Sequence, residues 1–378
     1  MSESNDAARR KIDDEDRPRH ERANIELPYD ADDLSIGRRS ARHSRSFLTY
    51  AGYARAWRTL TTRDDTPHYR WADAGGPRFK PDDLAEVFAR EIEPRATVPR
   101  SPDGVYRSLS RMWGTEQLMD ATFRGATGEW SGDLLRSAAP WVTVQAYYSC
   151  FSATQALIWI ERGDEIDQHA AVRRAFADLW SPDTCNLMPF SASAAARPAT
   201  TPRAVEFRGI PDGTNPARTD PAGYWTRFEA WDVAALSLRA ALDRHLDDRY
   251  AQRRDSLRRS GATSPSQVRL PKSDREAIRA KTRPFTILDV LHRFRVAANY
   301  RDADVFILGP TDDDAIRAFI VNMLHTTSAL LLATELRIAA STKPGAMQGV
   351  ARAWLSMFGG RQSPLEDRVD YLNELSGR

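Results

Sequence analysis

Apolar positions recur at helical spacing along most of the chain. The clearest run is PWVTVQAYYSCFSATQALIWIERG, Pro140 to Gly163. Val144, Tyr147, Phe151, Thr154 and Ile158 fall on one face. Tyr148, Gln155 and Trp159 widen that stripe, which predicts a helix buried on two sides. Pro140 is expected in its first turn and Gly163 at its stop. A second helix, IDQHAAVRRAFADLW, should end at Ser181-Pro182. A long one follows Asp220-Pro221, WTRFEAWDVAALSLRAALDRHLDDRYAQRRDSLRR, and Gly261 and Pro265 should close it. SDREAIRAK then leads through Pro284 to TILDVLHRFRVAANY. The last strong pattern is TDDDAIRAFIVNMLHTTSALLLATELRIAA, where Thr311 with Asp314 has the look of a capping box. Its buried stripe is Ile316, Phe319, Met323, Thr327, Leu330 and Thr334.

Between these segments the pattern changes. Residues 1–45 alternate charges with few apolar positions, and are expected to form a disordered or loosely docked arm. Residues 46–130 mix aromatics (Phe47, Tyr50, Tyr53, Trp57) with turn residues such as Gly75-Gly76-Pro77. There PDDLAEVFAREIE predicts a short helix and GVYRSLSRMWGTEQLMDATFR a helical pair, all packed on the core that follows. Residues 182–220 are rich in Pro, Ala, Ser and Thr and are read as a linker. No long strand pattern competes with these helices, and no repeat is visible. The predicted class is mainly α: a helical bundle over 131–181 and 286–340, interrupted by an insertion over 182–285. A mixed N-terminal region precedes it and an extension, 341–378, follows.

Composition narrows the function classes. With 378 residues and a hydrophobic share of 41%, the chain can bury a large core. Its 54 Lys and Arg against 52 Asp and Glu give +2, so no whole-molecule field selects a polyanion. Two cysteines, Cys150 and Cys185, argue against a disulfide framework and for a reducing compartment. The early residues hold no apolar signal core, and the apolar runs are too interrupted for a membrane span. A cytoplasmic location with no membrane contact is expected.

Basicity is local. From Arg249 to Arg295 there are 13 Arg and Lys against 4 Asp and Glu. Arg253, Arg254, Arg258, Arg259, Lys272 and Arg279 lie in this run and Arg301 just beyond it. The run reads either as a solvated helix face or as a surface for a phosphate backbone. Its aromatics are sparse, Tyr250 and Phe285, so stacking of bases is poorly signalled there.

The seven histidines are scattered, and none pairs with Cys or another His at ligand spacing, so no metal site is expected. With no Gly-rich phosphate loop, nucleophile elbow or dinucleotide fingerprint, no cofactor is expected either. Candidate chemistry gathers in RFRVAANYRDADVF, Arg293 to Phe306, which turns abruptly polar at Asn299-Tyr300-Arg301-Asp302. One reading is structural: Arg295, Asn299 and Asp302 bond the helix end and Tyr300 packs. The other, implied only by the family resemblance given next, is a remodelled nucleotide- or RNA-facing site. His292, three residues before Arg295, then stands as a substitute base, against the alternative of a plain helix-surface histidine. His325 reads as a core histidine.

Four pieces in order carry a resemblance. They are AYYSCFSATQALIWIERG, His169-Ala-Ala-Val-Arg-Arg-Ala-Phe, Arg295-Val-Ala-Ala-Asn-Tyr, and a long final helix opened by acids. Together they resemble the HEPN domain, the higher eukaryotes and prokaryotes nucleotide-binding helical bundle, over about 141–180 and 286–340. The resemblance implies a metal-independent ribonuclease or RNA-binding bundle, often a homodimer with the helix-end motif at its interface. It also implies a toxin–antitoxin or antiviral setting. Arg295 takes the place of the family's arginine, which would stabilise phosphorane charge. Where the motif histidine would sit the chain has Asn299, Tyr300, Arg301 and Asp302. Neutral Asn and a phenol near pKa 10 are poor proton shuttles at neutral pH.

Two functions therefore stand side by side. In the first the protein binds RNA or nucleotide, with Arg295 on phosphate, Asn299 and Tyr300 positioning the ligand, and the basic run holding the backbone. In the second the bundle is catalytically inactive and assembles with a partner protein.

Overall fold

The computed structural model describes residues 33–61, 88, 92, 102–127, 132–197, 204–216, 226–260, 270–301, 303–310, 312–358 and 363–372. The Gly75 turn, the closing signals at Gly261 and Pro265, residues 1–32, and all of 62–101 but Phe88 and Ile92 lie outside them, so of the predicted Pro81 helix only those two buried residues are described. The chain divides into two compact units, Met1–Arg39 and Ser40–Arg378. In the first, residues 33–39 are helical; the second holds all the other described residues.

The described residues are mainly helical. In order they form α1 (Asp33–Leu60), α2 (Pro102–Thr127), α3 (Gly132–Glu161) and α4 (His169–Leu179). Two short strands follow, β1 (Ser193–Ala196) and β2 (Val205–Arg208). Then come α5 (Arg227–Arg259), α6 (Lys272–Lys281), α7 (Ile287–Val296) and a π-helical turn (Ala297–Arg301). The last helices are α8 (Ala303–Leu308), α9 (Asp313–Ala340) and α10 (Ala346–Phe358).

α3 is the central rod, packed along α2 and α9. It begins eight residues before the predicted start, so Pro140 lies inside it rather than in its first turn. Proline there removes one backbone hydrogen bond, and the strong helix formers in Leu-Leu-Arg-Ser-Ala-Ala before it carry the helix across. Its end is as predicted: Gly163 turns at φ 70°, and its amide reaches the carbonyls of Ile158 and Trp159. α9 starts on Asp312, not on a Thr311 box: Asp312 Oδ1 accepts from the Ala315 amide at 2.7 Å. Among the described residues α9 alone is long and apolar enough to cross a membrane, but most of that stretch is buried in the bundle. The predicted pair around Trp113 is one helix, α2, because Gly114 tolerates the helical backbone.

The linker is more structured than its composition implies. β1 and β2 pair antiparallel, and Ala194 bridges Phe285 across to the start of α7. Phe190 and Ala192 are fully buried beside them. α5 packs on β1 and α7, so the predicted insertion is built into the same core. Trp57 of α1 donates to Ser237 of α5 at 3.0 Å. Phe47 and Tyr50 of α1 meet Phe319, Phe294 and Phe306 edge-on or tilted, with centroids 5.1–5.6 Å apart.

Two buried charge networks lock helices together. Arg337 of α9 holds Glu161 through two nitrogens (2.5 and 2.8 Å) and donates to the Leu179 carbonyl at the end of α4. Arg368, fully buried, spans Glu116 of α2 and Glu335 of α9 with four hydrogen bonds of 2.6–2.9 Å. Trp113 Nε1 and Ser328 Oγ donate to the same two carboxylates. Each acid is thus satisfied several times over, which burial of charge demands.

Gly309 marks a close approach. A Cβ there would meet the carbonyl of Val305, and would come within 2.7 Å of the His43 carbonyl and 2.8 Å of Phe47 Cβ. Gly309→Ala is therefore expected to lower stability by about 1–3 kcal/mol through overpacking. A urea midpoint unchanged from wild type would contradict this reading of the α1–α8 contact.

Candidate functional site

Three of the four pieces that carry the resemblance converge in space. α3 brings Tyr147 and Tyr148, α4 brings His169 and Arg173, and α7 brings Asp289, His292 and Arg295. The Tyr147 hydroxyl bonds His169 Nδ1 at 2.8 Å. The Tyr147 ring lies 5.3 Å from that of His292, and the two imidazoles are 6.1 Å apart. The guanidinium of Arg295 lies over both tyrosines, 5.4 Å from Tyr147 and 5.1 Å from Tyr148. His292 is therefore not a plain helix-surface residue: it is half-buried against aromatic neighbours.

Asp289 organises the cationic side. Fully buried, it accepts from Arg283 at 2.5 and 2.8 Å, from Arg173 at 3.1 Å, and from the Thr286 amide at 2.9 Å. Burial alone would raise its carboxyl; Arg283, Arg173 and the amide outweigh that and bring it down to about 2. Arg283 in turn is pulled above its ordinary value, Asp289 outweighing its burial. Burial, followed by the nearby Arg173, pushes His292 well below the usual imidazole value, so it is neutral at pH 7. His245 of α5 is lowered to about 4, by burial first and then by Arg173, Arg283 and Arg249. The Tyr147 phenol is pushed up by burial, against the pull of Arg173 and Arg295, and stays protonated.

Arg295 differs from its neighbours. Arg173 and Arg283 share Asp289, whereas no described carboxylate pairs with Arg295 and its buried Nε makes no hydrogen bond. Among the described residues its charge is met by ring faces. A half-buried cation so placed has strong reason to take up an anion. The polar loop after it does not cap the helix through Arg295. The chain instead passes into the π-helical turn, which leaves Asn299 exposed and Ala297 and Ala298 buried. Such turns widen the helix by a residue and concentrate at functional sites. The side chains of Tyr300 and Arg301, and all of Asp302, lie outside the described residues.

The basic run is placed less favourably. Arg279 is interior: it donates to the carbonyls of Arg197 and Ala204 and braces the hairpin, so it offers no surface charge. Arg253 is paired with Asp274 (3.1 Å), Arg258 with Asp255 (3.4 Å) and Lys272 with Glu276 (3.7 Å). Arg254 and Arg259 have no ion pair among the described residues; Arg254 is half-buried, and Arg259 is exposed at the end of α5. Sequence reasoning missed Arg173, Arg283 and Asp289 as parts of the site. Only Asp289, three residues after Thr286, carried a signal, as a capping pair at the start of α7.

Among the described residues, no three His, Cys, Asp or Glu side chains gather in a way that could hold a metal ion. Cys150 is fully buried and burial pushes its thiol up, which suits a core residue. Chemically, the cluster offers a cation open to phosphate, a neutral imidazole able to accept a proton, and a second imidazole beside it. Comparison of the chain with models of known protein families, with curated proteins and with solved structures returned no match.

Proposed function

We propose that the chain is a HEPN-like protein that binds RNA or a nucleotide through a phosphate held at Arg295. The observation that carries this is the guanidinium of Arg295: half-buried, backed by two tyrosines, paired with no carboxylate among the described residues, and next to a neutral histidine. A phosphate supplies the missing charge, and charge-assisted hydrogen bonds to it are the strong kind. Asn299, exposed one turn on, would position the ligand. Arg254 and Arg259 would follow the backbone. Metal-free cleavage is the catalytic arm of the same reading. His292 would take the ribose 2′-proton, His169 would return one to the leaving oxygen, and Arg295 would stabilise the phosphorane. A homodimer, and a toxin–antitoxin or defence setting, belong to the resemblance alone.

The expected result is RNA affinity that falls steeply with salt in EDTA, measured by fluorescence anisotropy. Arg295→Ala should weaken it at least tenfold, about 1.5–3 kcal/mol, with an unchanged melting curve. Equal binding by the variant, or its unfolding, would sink the reading. A second reading, a partner-binding scaffold without catalysis, is favoured by the exposed Leu134, Trp141 and Leu308.

A further inference from the structure

α3 is covered by neighbours along nearly its whole length, and the gaps in that cover form a line. After Leu135, the residues that remain open as far as Tyr148 are Arg136, Ser137, Pro140, Trp141, Gln145 and Tyr148. Trp141, Gln145 and Tyr148 stand four and three residues apart, which puts them on one face. Trp141 is 62% exposed, the most exposed large apolar side chain described. Gln145 holds its Oε1 buried without a hydrogen-bond partner. Tyr148 carries Arg295 on its ring at 5.1 Å. Aromatic, amide, aromatic and guanidinium thus follow one another over about 10 Å of helix, at 1.5 Å per residue.

We propose that this open stripe of α3 is a track for single-stranded nucleic acid, in which Trp141 stacks a base and Arg295 takes the phosphate of a linked nucleotide. The inference rests on the phosphate reading of Arg295 and adds the class of ligand. Each end has its own warrant. A large indole face left in water gains from any planar partner, and stacking is indifferent to which base supplies it. At the other end a cation that no described carboxylate pairs calls for an anion. Between them Gln145 lines the stripe, with its Oε1 buried beneath the open face. A protein partner would suit the indole but would leave Arg295 unanswered unless it brought an acid to the same spacing. A duplex presents its bases stacked inside, out of reach of Trp141, so single strands are favoured. Because the two ends are about 10 Å apart along the helix, a dinucleotide or longer engages both, and a mononucleotide reaches one.

The test compares wild type, Trp141→Ala, Trp141→Phe and Arg295→Ala. The probes are a fluorescein-labelled ten-nucleotide single-stranded RNA and, separately, unlabelled AMP as competitor, all in EDTA. Trp141 is exposed, so the Ala variant should melt like wild type. It should bind the oligonucleotide roughly 5- to 150-fold more weakly, the loss of one stacked base at about 1–3 kcal/mol. Trp141→Phe should recover most of that. AMP competition, read at Arg295, should be the same for wild type and both Trp141 variants. If Trp141→Ala binds RNA as wild type does while Arg295→Ala does not, the track is overturned and the phosphate seat stands. If wild type binds neither probe, both fail together. If Trp141→Ala instead dissociates an oligomer seen by light scattering and leaves RNA binding untouched, the stripe is a protein interface and the inference is wrong.

Discussion

Replacing Arg368 with Ala is expected to leave a chain that does not hold its native fold at 37 °C. The side chain is completely buried between Glu116 and Glu335 and donates to both. Its removal strands two carboxylates in an apolar interior. Breaking one buried pair from one side costs about 3–5 kcal/mol, and here two acids lose their cation at once. Total stability of a domain is only about 5–15 kcal/mol. Circular dichroism and urea unfolding at pH 7 would show the loss. A control separates charge from volume. The triple variant Glu116→Gln, Glu335→Gln, Arg368→Met removes all three charges and should be clearly more stable than Arg368→Ala. If Arg368→Ala unfolds within about 1 kcal/mol of wild type, smaller than any buried-pair cost, the network is not what closes the core.

Asp289→Asn should come next in effect, with a pH signature. Asp289 anchors Arg173 and Arg283 and caps α7, so at pH 7 its neutral replacement should cost about 3–5 kcal/mol. Its carboxyl is held at about 2, below the ordinary value of 3.8. The folded state therefore binds this proton less readily than the unfolded chain does. The stabilisation is complete above the unfolded value and is lost as pH falls through about 2. That difference corresponds to roughly 2–3 kcal/mol. Urea midpoints at pH 7, 4 and 2.5 should converge for wild type and Asp289→Asn toward acid. Parallel pH profiles would show that Asp289 is not ionised against these arginines. The same variant frees Arg173 and Arg283, so an altered phosphate affinity should accompany the lost stability.

How much of the molecule was legible depended on whether a residue's neighbours in sequence were also its neighbours in space. α3 and α9 were readable because their apolar positions keep helical register and because Gly163 and the acids of 312–314 mark their ends locally. Pro140 misled, since its local rule favours a first turn while the packed helix tolerates one lost bond. The hairpin was invisible: Ser193–Ala196 and Val205–Arg208 are four-residue strands with no alternation long enough to see. Buried charge was the largest blind spot. Arg279, Asp289 and Arg368 read like surface residues, and only the fold supplies the carbonyls, guanidiniums and carboxylates that let them be interior. At the site, Arg295 and His292 were singled out by their polar surroundings, and Tyr147 and His169 by resemblance. That they touch one another, and that no described acid pairs with Arg295, could not be read from spacing.

The clasp at Arg368 also orders events during synthesis. Glu116 emerges from the ribosome 252 residues before the cation that neutralises it, and Glu335 only 33 before. Until Arg368 is clear of the exit tunnel, α2 and α9 cannot seal against each other without enclosing two unmatched acids. The core is expected to close late, once its latch is available. Contacts of such long sequence separation also close slowly. A nascent chain stalled before residue 368 should therefore stay protease-sensitive across α2 and α9, and one released past it should not.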